Sequence, residues 1–358
     1  MPKFQNITDL VLEIRSKLPP GLLEVLENHY PTCKLHLWNF RFKSLNDDAT
    51  DPDERALATS PNLYSLSVKH MYRDSNGMDD HNAVATLETV KSAPNLKHIR
   101  MLGCRPASSP GLYQARGRPL TPWKGFMPPI EDSRAKKNMK TRLESFRLEG
   151  YNDRLTISKL QKWEEVADLS CVEALSCSIH SSDILDHVAV LNKFPSVVEL
   201  HLGLKPSQYD DRSGWEPALE NFFSSLCPLE ALFVSGSMHS AMLNLIAKRH
   251  GKTLKALSIC PFADGYDMPG PPLRLTANAI EILARECPNL AGLRLILPRS
   301  MGDRTETRCY EALGMFLLII YFGENYMPRG ILIRSCLASL LHRTSLILTF
   351  VANSRYAP

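Results

Sequence analysis

Pro61-Asn62-Leu63-Tyr64-Ser65-Leu66-Ser67-Val68 is the stretch that decides the fold, because its pattern returns along the chain. Its form is Pro-Asn-Leu-x-x-Leu-x-Val. Variants of this phrase begin at Pro94, Pro195, Pro228 and Pro288, and copies without the proline begin at Leu143, Val172 and Leu254. Eight copies in one chain indicate an architecture assembled from similar pieces. Such architectures commonly offer a binding surface rather than a catalytic pocket.

The apolar residues within each copy alternate, as Leu66 and Val68 do, and a period of two is typical of a strand with one buried face. Between copies the apolar spacing becomes that of a helix, and one such stripe consists of Ala83, Val84, Leu87 and Val90. A second helical stripe covers residues 184–191 and follows Asp183, which we predict to be its N-cap. Strand followed by helix, repeated, predicts parallel strands with helices on one side.

The spacing of the copies narrows the prediction. Their first apolar positions lie between 25 and 47 residues apart, and the shorter steps fit the 20–29 residue period of leucine-rich repeats. The predicted fold class is α/β, an irregular leucine-rich-repeat solenoid, or horseshoe, of parallel strands and helices. We expect an N-terminal helical and strand cap at 1–60, the solenoid at 61–300 and an irregular C-terminal cap at 301–358. We also predict a ninth, degenerate copy that begins at Leu317.

Composition limits the classes of function. Hydrophobic residues make up 44% and charged residues 22% of the 358 residues, the balance of a globular protein, and the net charge of +4 is too small to argue nucleic-acid binding by itself. The longest wholly apolar run, 315–322, is too short for a membrane span. Nine cysteines without an export signal predict reduced thiols and a cytoplasmic or nuclear location.

Sequence motifs for catalysis are missing. The chain contains no glycine-rich nucleotide loop, no zinc-protease motif and no nucleophile elbow. Cys171, Cys177 and His180 have a spacing that resembles a metal site, yet Cys177 falls on a predicted core position of a strand. A hydrolase triad can form from residues far apart in sequence, so spacing leaves that alternative open. We predict that the chain is not an enzyme, with no catalytic residue, metal or cofactor.

Three short segments carry a resemblance to a known family. Cys287-Pro288-Asn289-Leu290, Cys227-Pro228-Leu229 and Gly103-Cys104 resemble the cysteine-containing leucine-rich repeat that is typical of F-box proteins. Over about residues 20–300 the chain resembles the large fungal group whose repeats are irregular. The resemblance implies the substrate receptor of an SCF-type ubiquitin ligase, with a Skp-type adaptor and a cullin as partners.

The N-terminus departs from that family. Leu18-Pro19-Pro20-Gly21-Leu22-Leu23 is similar to the opening of an F-box, but residues 24–37 already predict a helix, a turn and the first strand of a repeat. The F-box is therefore expected to be truncated or absent. A stand-alone interaction scaffold without a link to a ligase is the first alternative function.

Residues 104–142 form a long basic insert that is rich in proline, and nine basic against two acidic residues give it a net charge of +7. Proline at this density opposes helix and central strand. RNA binding through this insert is the second alternative function. Alternatively, the insert packs its aromatic residues back onto the repeats. Its candidate contacts are Trp123, Phe126, Lys136 and Lys137.

The predicted binding site is the concave face of the solenoid, which is the side of the strands opposite the core. If Leu66 and Val68 point inward, Ser67 and Lys69 point to the other face. The same phase gives a central row of Ser67, Arg100, Arg147, Ser176, His201, Phe233, Ser258 and Arg294. The residues predicted to bind a protein partner are Lys69, Arg100, Arg147, Glu199, His201, Phe233 and Arg294. Arginine and aromatic residues are enriched in protein interfaces.

Overall fold

The computed structural model describes residues 7–14, 17–42, 52–71, 82–104, 125–126, 140–150, 154–206, 214–236, 238, 240–260, 276–295, 304, 307–314 and 347–350. The chain forms two compact units, Met1–Cys177 and Ser178–Pro358, called here the N-terminal and C-terminal units. Each unit is α/β, with parallel strands that alternate with helices. The sequence prediction of the fold class is correct at this level.

The N-terminal unit contains β1 (Asp9–Glu13), β2 (Lys34–Phe40), β3 (Leu63–Met71), β4 (His98–Cys104), β5 (Thr141–Arg142), β6 (Ser145–Gly150), β7 (Ala167–Asp168) and the start of β8 (Ala174–Ile179). Its helices are α1 (Leu22–His29), α2 (Pro52–Thr59), α3 (Asn82–Ser92) and α4 (Ile157–Val166). Strands β1, β2, β3, β4, β6 and β8 pair in this order, each parallel to the next. Strands β5 and β7 form a separate parallel pair.

The C-terminal unit contains β9 (Glu199–Leu204), β10 (Ala231–Gly236), β11 (Ala256–Cys260), β12 (Gly292–Leu295) and β13 (Ile347–Phe350). Its helices are α5 (Ser182–Val190), α6 (Trp215–Ser225), α7 (Ser240–His250) and α8 (Ala277–Glu286). The five strands pair in chain order and all pairs are parallel. The degenerate copy predicted at Leu317 lies outside the described residues. In the part of the chain that the structure covers, no helix is long and apolar enough to cross a membrane.

The apolar positions of the repeated phrase build the core. Leu63, Leu66 and Val68 have no exposed surface, and the corresponding Leu290 and Leu293 are also buried. Burial of one leucine side chain stabilises the folded state by about 1.5–3 kcal/mol, which explains why these positions stay apolar in every copy.

The asparagine of the phrase connects consecutive repeats. Asn62 Nδ2 donates to the carbonyl oxygen of Cys33 at 2.8 Å. Asn95 Nδ2 donates to the carbonyl oxygen of Pro61 at 2.8 Å. Asn289 makes the same kind of bond to the carbonyl of the repeat before it, at 2.6 Å. The Cys33 bond is buried, and a backbone carbonyl that is withdrawn from water needs a donor, which the Asn62 amide supplies. The Asn95 and Asn289 bonds are exposed.

The long insert does not interrupt the pairing of β4 with β6. Six consecutive residues of each strand are in register, from His98 with Ser145 to Gly103 with Gly150. Gly150 has a φ of 98°, and a Cβ there would collide with the Gly103 carbonyl oxygen. Glycine is therefore required at this end of β6, because only glycine adopts this φ readily and permits so close a backbone contact.

The helices differ from the sequence prediction in detail. Helix α3 exists, but its buried residues include Ala85, Thr86 and Thr89, whereas the predicted stripe residue Val84 is 44% exposed. The threonines can be buried because their hydroxyls donate to backbone carbonyls one turn earlier. The N-cap of α5 is Ser181, and the predicted cap Asp183 lies in the first turn.

His250, the last residue of α7, is fully buried between two other segments. Its Nδ1 accepts from the backbone N–H of Leu229 at 3.3 Å, and its Nε2 donates to the Phe223 carbonyl at 3.2 Å. Both ring nitrogens are thus used, in a form that requires the neutral imidazole. Burial is the main cause that lowers the pKa of His250 to about 4.

Candidate functional site

The predicted row of the N-terminal unit lies in one register on the face opposite the core, called here the polar face. Ser67 pairs with Arg100, Arg100 with Arg147, and Arg147 with Ser176. Arg100 is exposed and Arg147 is half-buried, while both serines are buried. Lys69, one position further along β3, is half-buried. The arginines are therefore the reachable part of this row.

Neighbouring side chains hold the two arginines. Arg100 donates from Nε to Glu149 Oε2 at 2.8 Å, and one of its terminal nitrogens lies 2.7 Å from the same oxygen. Arg147 Nε donates to Ser145 Oγ at 3.3 Å. A surface ion pair of this kind contributes only about 0–1 kcal/mol to stability. Its larger effect is to restrict the Arg100 side chain, which lowers the entropy cost of any further contact that this side chain makes.

Sequence reasoning missed an aromatic row on the same face. The Tyr64 ring contacts the His36 ring at 5.6 Å and the His98 ring at 5.1 Å between centroids, and Lys34 Nζ lies 4.2 Å from the centre of the Tyr64 ring. His36 Nε2 is 3.0 Å from Asp9 Oδ1, and this bond lowers the pKa of Asp9. Burial lowers the pKa of His98.

An irregularity in strand pairing explains the omission of Tyr64. The register of β2 with β3 shifts after Leu35, so that His36 pairs with Ser65 and Tyr64 is an extra residue. Strict alternation backward from Ser67 places Ser65, and not Tyr64, on the polar face. A bulge of this kind redirects side chains and leaves little trace in sequence. The alternation of Lys34, His36 and the exposed Trp38 along β2 was a signal that could have extended the row.

The predicted row of the C-terminal unit is also in register, and it lies opposite the buried residues of β9–β12, on the polar face of that unit. His201 pairs with Phe233, Phe233 with Ser258, and Ser258 with Arg294. The rings of His201 and Phe233 are stacked, with 4.1 Å between centroids and 21° between planes. Glu199 Oε1 lies 2.9 Å from His201 Nε2. Arg294 is exposed.

The structure describes one of the four candidate residues of the insert, Phe126. Phe126 is buried, 4% exposed, with its ring centroid 6.2 Å from that of Phe42. This burial favours packing of Phe126 onto the fold over direct contact with a partner. Trp123, Lys136 and Lys137 lie outside the described residues.

Cys171 and Cys177, whose spacing with His180 resembles that of a metal site, lie in different surroundings in the structure. Cys177 is buried in β8, and desolvation raises the pKa of its thiol to about 12. The Cys171 sulfur accepts from Arg142 Nε at 3.2 Å and lies 3.5 Å from Asp168 Oδ2. Within the described ranges, no group of three or more His, Cys, Asp or Glu side chains could hold a metal ion.

Comparison with known proteins adds no family to these observations. No model of a known protein family matches the chain, and no curated protein is significantly similar to it. The function of the chain is therefore inferred from its fold and from its polar faces.

Proposed function

We propose that this chain recognises a protein partner through the polar faces of its parallel strands, and that its repeats are those of a leucine-rich-repeat solenoid. The observation that supports this most is the register of Arg100 with Arg147 and of His201 with Phe233. The same strands bury their leucine and valine residues on the opposite face. Extended strand faces with this division are the usual binding surface of repeat proteins.

The residue types favour a protein as the partner. Arginine and aromatic side chains supply a large share of the binding energy in protein interfaces. Arg100 is held by Glu149, and the Phe233 ring is held by the His201 ring. Side chains that are already restrained lose less entropy on binding, so that more of the contact energy appears as affinity.

A more specific proposal is that the chain acts as the substrate receptor of an SCF-type ubiquitin ligase. It is supported only by the resemblance of the cysteine-containing repeats, which is an analogy at the level of the fold. In this role the chain holds a substrate while another subunit performs the chemistry. A stand-alone scaffold without a ligase is the alternative, and recovery of the adaptor distinguishes the two.

The test of the binding face compares two triple variants of the intact chain. Arg100→Glu, Arg147→Glu and Arg294→Glu reverse three charges on the polar faces. The control makes the same change of charge at three exposed helix residues, Lys162, Lys248 and Arg285. We expect affinity capture from a fungal lysate to lose its specific proteins with the first variant and to keep them with the control. Equal recovery by both variants would exclude the polar faces as the binding site.

The test of the ligase role probes the same captures for a Skp-type adaptor and a cullin. Val25 is 46% exposed on α1, so Val25→Asp changes the surface of this helix without altering the core. Adaptor that is captured by the parent chain and lost with Val25→Asp indicates a ligase receptor that docks through α1. Capture of other proteins without adaptor indicates the scaffold.

A further inference from the structure

On the polar face of the C-terminal unit, the Phe233 ring lies next to a group of small residues. Phe233 pairs with Ser258 on β11. Two residues earlier on each strand, the same face carries a second row in register, which consists of Ala231, Ala256 and Gly292. These three positions and Ser258 are half-buried and lie on the same face. The next long side chain of this row is Arg294 on β12.

The space above Ser258 has the width of one planar group. Neighbouring strands are about 4.8 Å apart, so Phe233 and Arg294 are separated by about 10 Å across the sheet. Aromatic groups stack with centres about 4.5 Å apart, and one ring placed between two flat neighbours therefore needs about 9 Å. The His201 ring already shows that side chains on adjacent strands stack here, at 4.1 Å. A ring above Ser258 would continue that stack by one strand.

The charges around this space differ between its two edges. Arg294 is exposed and makes no ion pair with any residue in the described ranges. On the other side, Glu199 is bonded to His201 behind Phe233. A carboxylate is therefore favoured beside Arg294, because the guanidinium donates to it in a planar fork, and it is disfavoured near Glu199.

We propose that this face binds an aromatic side chain of the protein partner that adjoins a carboxylate. The aromatic ring stacks on Phe233 above Ser258, and the carboxylate pairs with Arg294. This inference rests on the proposed function, since it names the chemistry of the partner at one part of the polar faces.

The test uses three small probes and ligand-observed NMR with the intact chain at neutral pH. Hydrocinnamate has the ring and the carboxylate, hydrocinnamamide lacks the charge, and cyclohexylpropanoate lacks the aromatic ring. We expect hydrocinnamate to bind about twofold to fivefold tighter than the amide, and threefold to tenfold tighter than the cyclohexyl analogue. Equal binding of the three probes would overturn the proposal.

Variants assign the binding to this site. Arg294→Gln should abolish the preference for carboxylate over amide, whereas Arg285→Gln, an exposed arginine on α8 of the same unit, should leave it unchanged. Ser258→Phe should remove binding of hydrocinnamate, because the new ring occupies the space itself. Phe233→Leu should remove the preference for an aromatic ring. Variants with unaltered far-UV circular dichroism that bind all three probes like the parent chain would refute the assignment.

The two proposals fail separately. If protein capture is lost with the triple arginine variant while the probes bind without preference, the binding face stands and this inference is wrong. If the probes bind as expected and both triple variants capture the same proteins, the site exists but the polar faces do not select the partner.

Discussion

His250 predicts that the C-terminal unit loses stability between neutral and mildly acidic pH. Its pKa is lowered to about 4 in the folded chain, mainly by burial, from an ordinary value of 6.5. The folded state therefore favours the neutral ring, and the unfolded state binds more protons between these two values. The contribution to stability is complete above pH 6.5 and is lost as the pH falls toward 4.

The size of this loss in the free energy of unfolding follows from proton linkage. Moving from pH 7.5 to pH 5.0 should lower the free energy of unfolding by about 2 kcal/mol through this one group. Burial is the main cause, because a charged ring in this place loses its hydration. A protonated ring would also have to donate from Nδ1, at which the backbone N–H of Leu229 already points. Carboxyl groups also titrate over this range, so the comparison must be made between variants.

The assay is urea unfolding followed by far-UV circular dichroism at both pH values. His250→Gln removes the titrating ring and keeps an amide that can donate and accept. His29→Gln, at an exposed position of α1, is the matched control. The pH-dependent loss should shrink by about 2 kcal/mol in the first variant and stay unchanged in the second. An identical loss in the parent chain and in His250→Gln would refute the reasoning.

Three further changes test the core and the backbone. Leu200→Ala removes a fully buried side chain of β9 and should cost about 2–5 kcal/mol in urea unfolding, whereas Val190→Ala, at an 80% exposed position, should be close to neutral; similar costs would contradict the assigned core. Asn62→Ala leaves the Cys33 carbonyl without its amide donor and should cost about 1–3 kcal/mol, and an unchanged unfolding midpoint would show that the amide is dispensable. Gly236→Ala should lower the thermal midpoint, because φ is 102° and a Cβ meets backbone; an unchanged midpoint would mean that the strand end relaxes freely.

Periodic patterns predicted most of the strands and helices because burial on one face imposes them directly. The alternation of Leu66 and Val68 fixed the phase of β3, and the same phase predicted which residues share a row. Strand β1 was missed, since a single segment of five residues, Asp9–Glu13, has no repeat phrase before it. The prediction of the buried face of α3 was wrong because a threonine takes the place of an apolar residue there. Thr86 can be buried since its hydroxyl donates to the Asn82 carbonyl oxygen.

The contacts within the site were less predictable than its rows. Arg100 and Glu149 are 49 positions apart in sequence, and their ion pair depends on the register of β4 with β6 across the insert. The position of Tyr64 depends on a shift in pairing that alternation does not encode. From sequence, Phe126 could either contact a partner at the surface or pack onto the fold. Its contact with Phe42 favours packing.

Because β4 and β6 pair directly across the insert, the length of the insert has little effect on the stability of the two strands. The first apolar positions on either side of the insert are 47 residues apart, against 25 for the shortest step. The closure entropy of a loop rises by only about 0.6 kcal/mol for each doubling of its length, so the extra residues cost little once the strands are paired. The larger effect is on folding rate, since these strands must find each other over a greater contour length. Insertions and deletions between Cys104 and Lys140 that keep the buried Phe126 can therefore accumulate under selection for other properties, while the stability of the paired strands changes little.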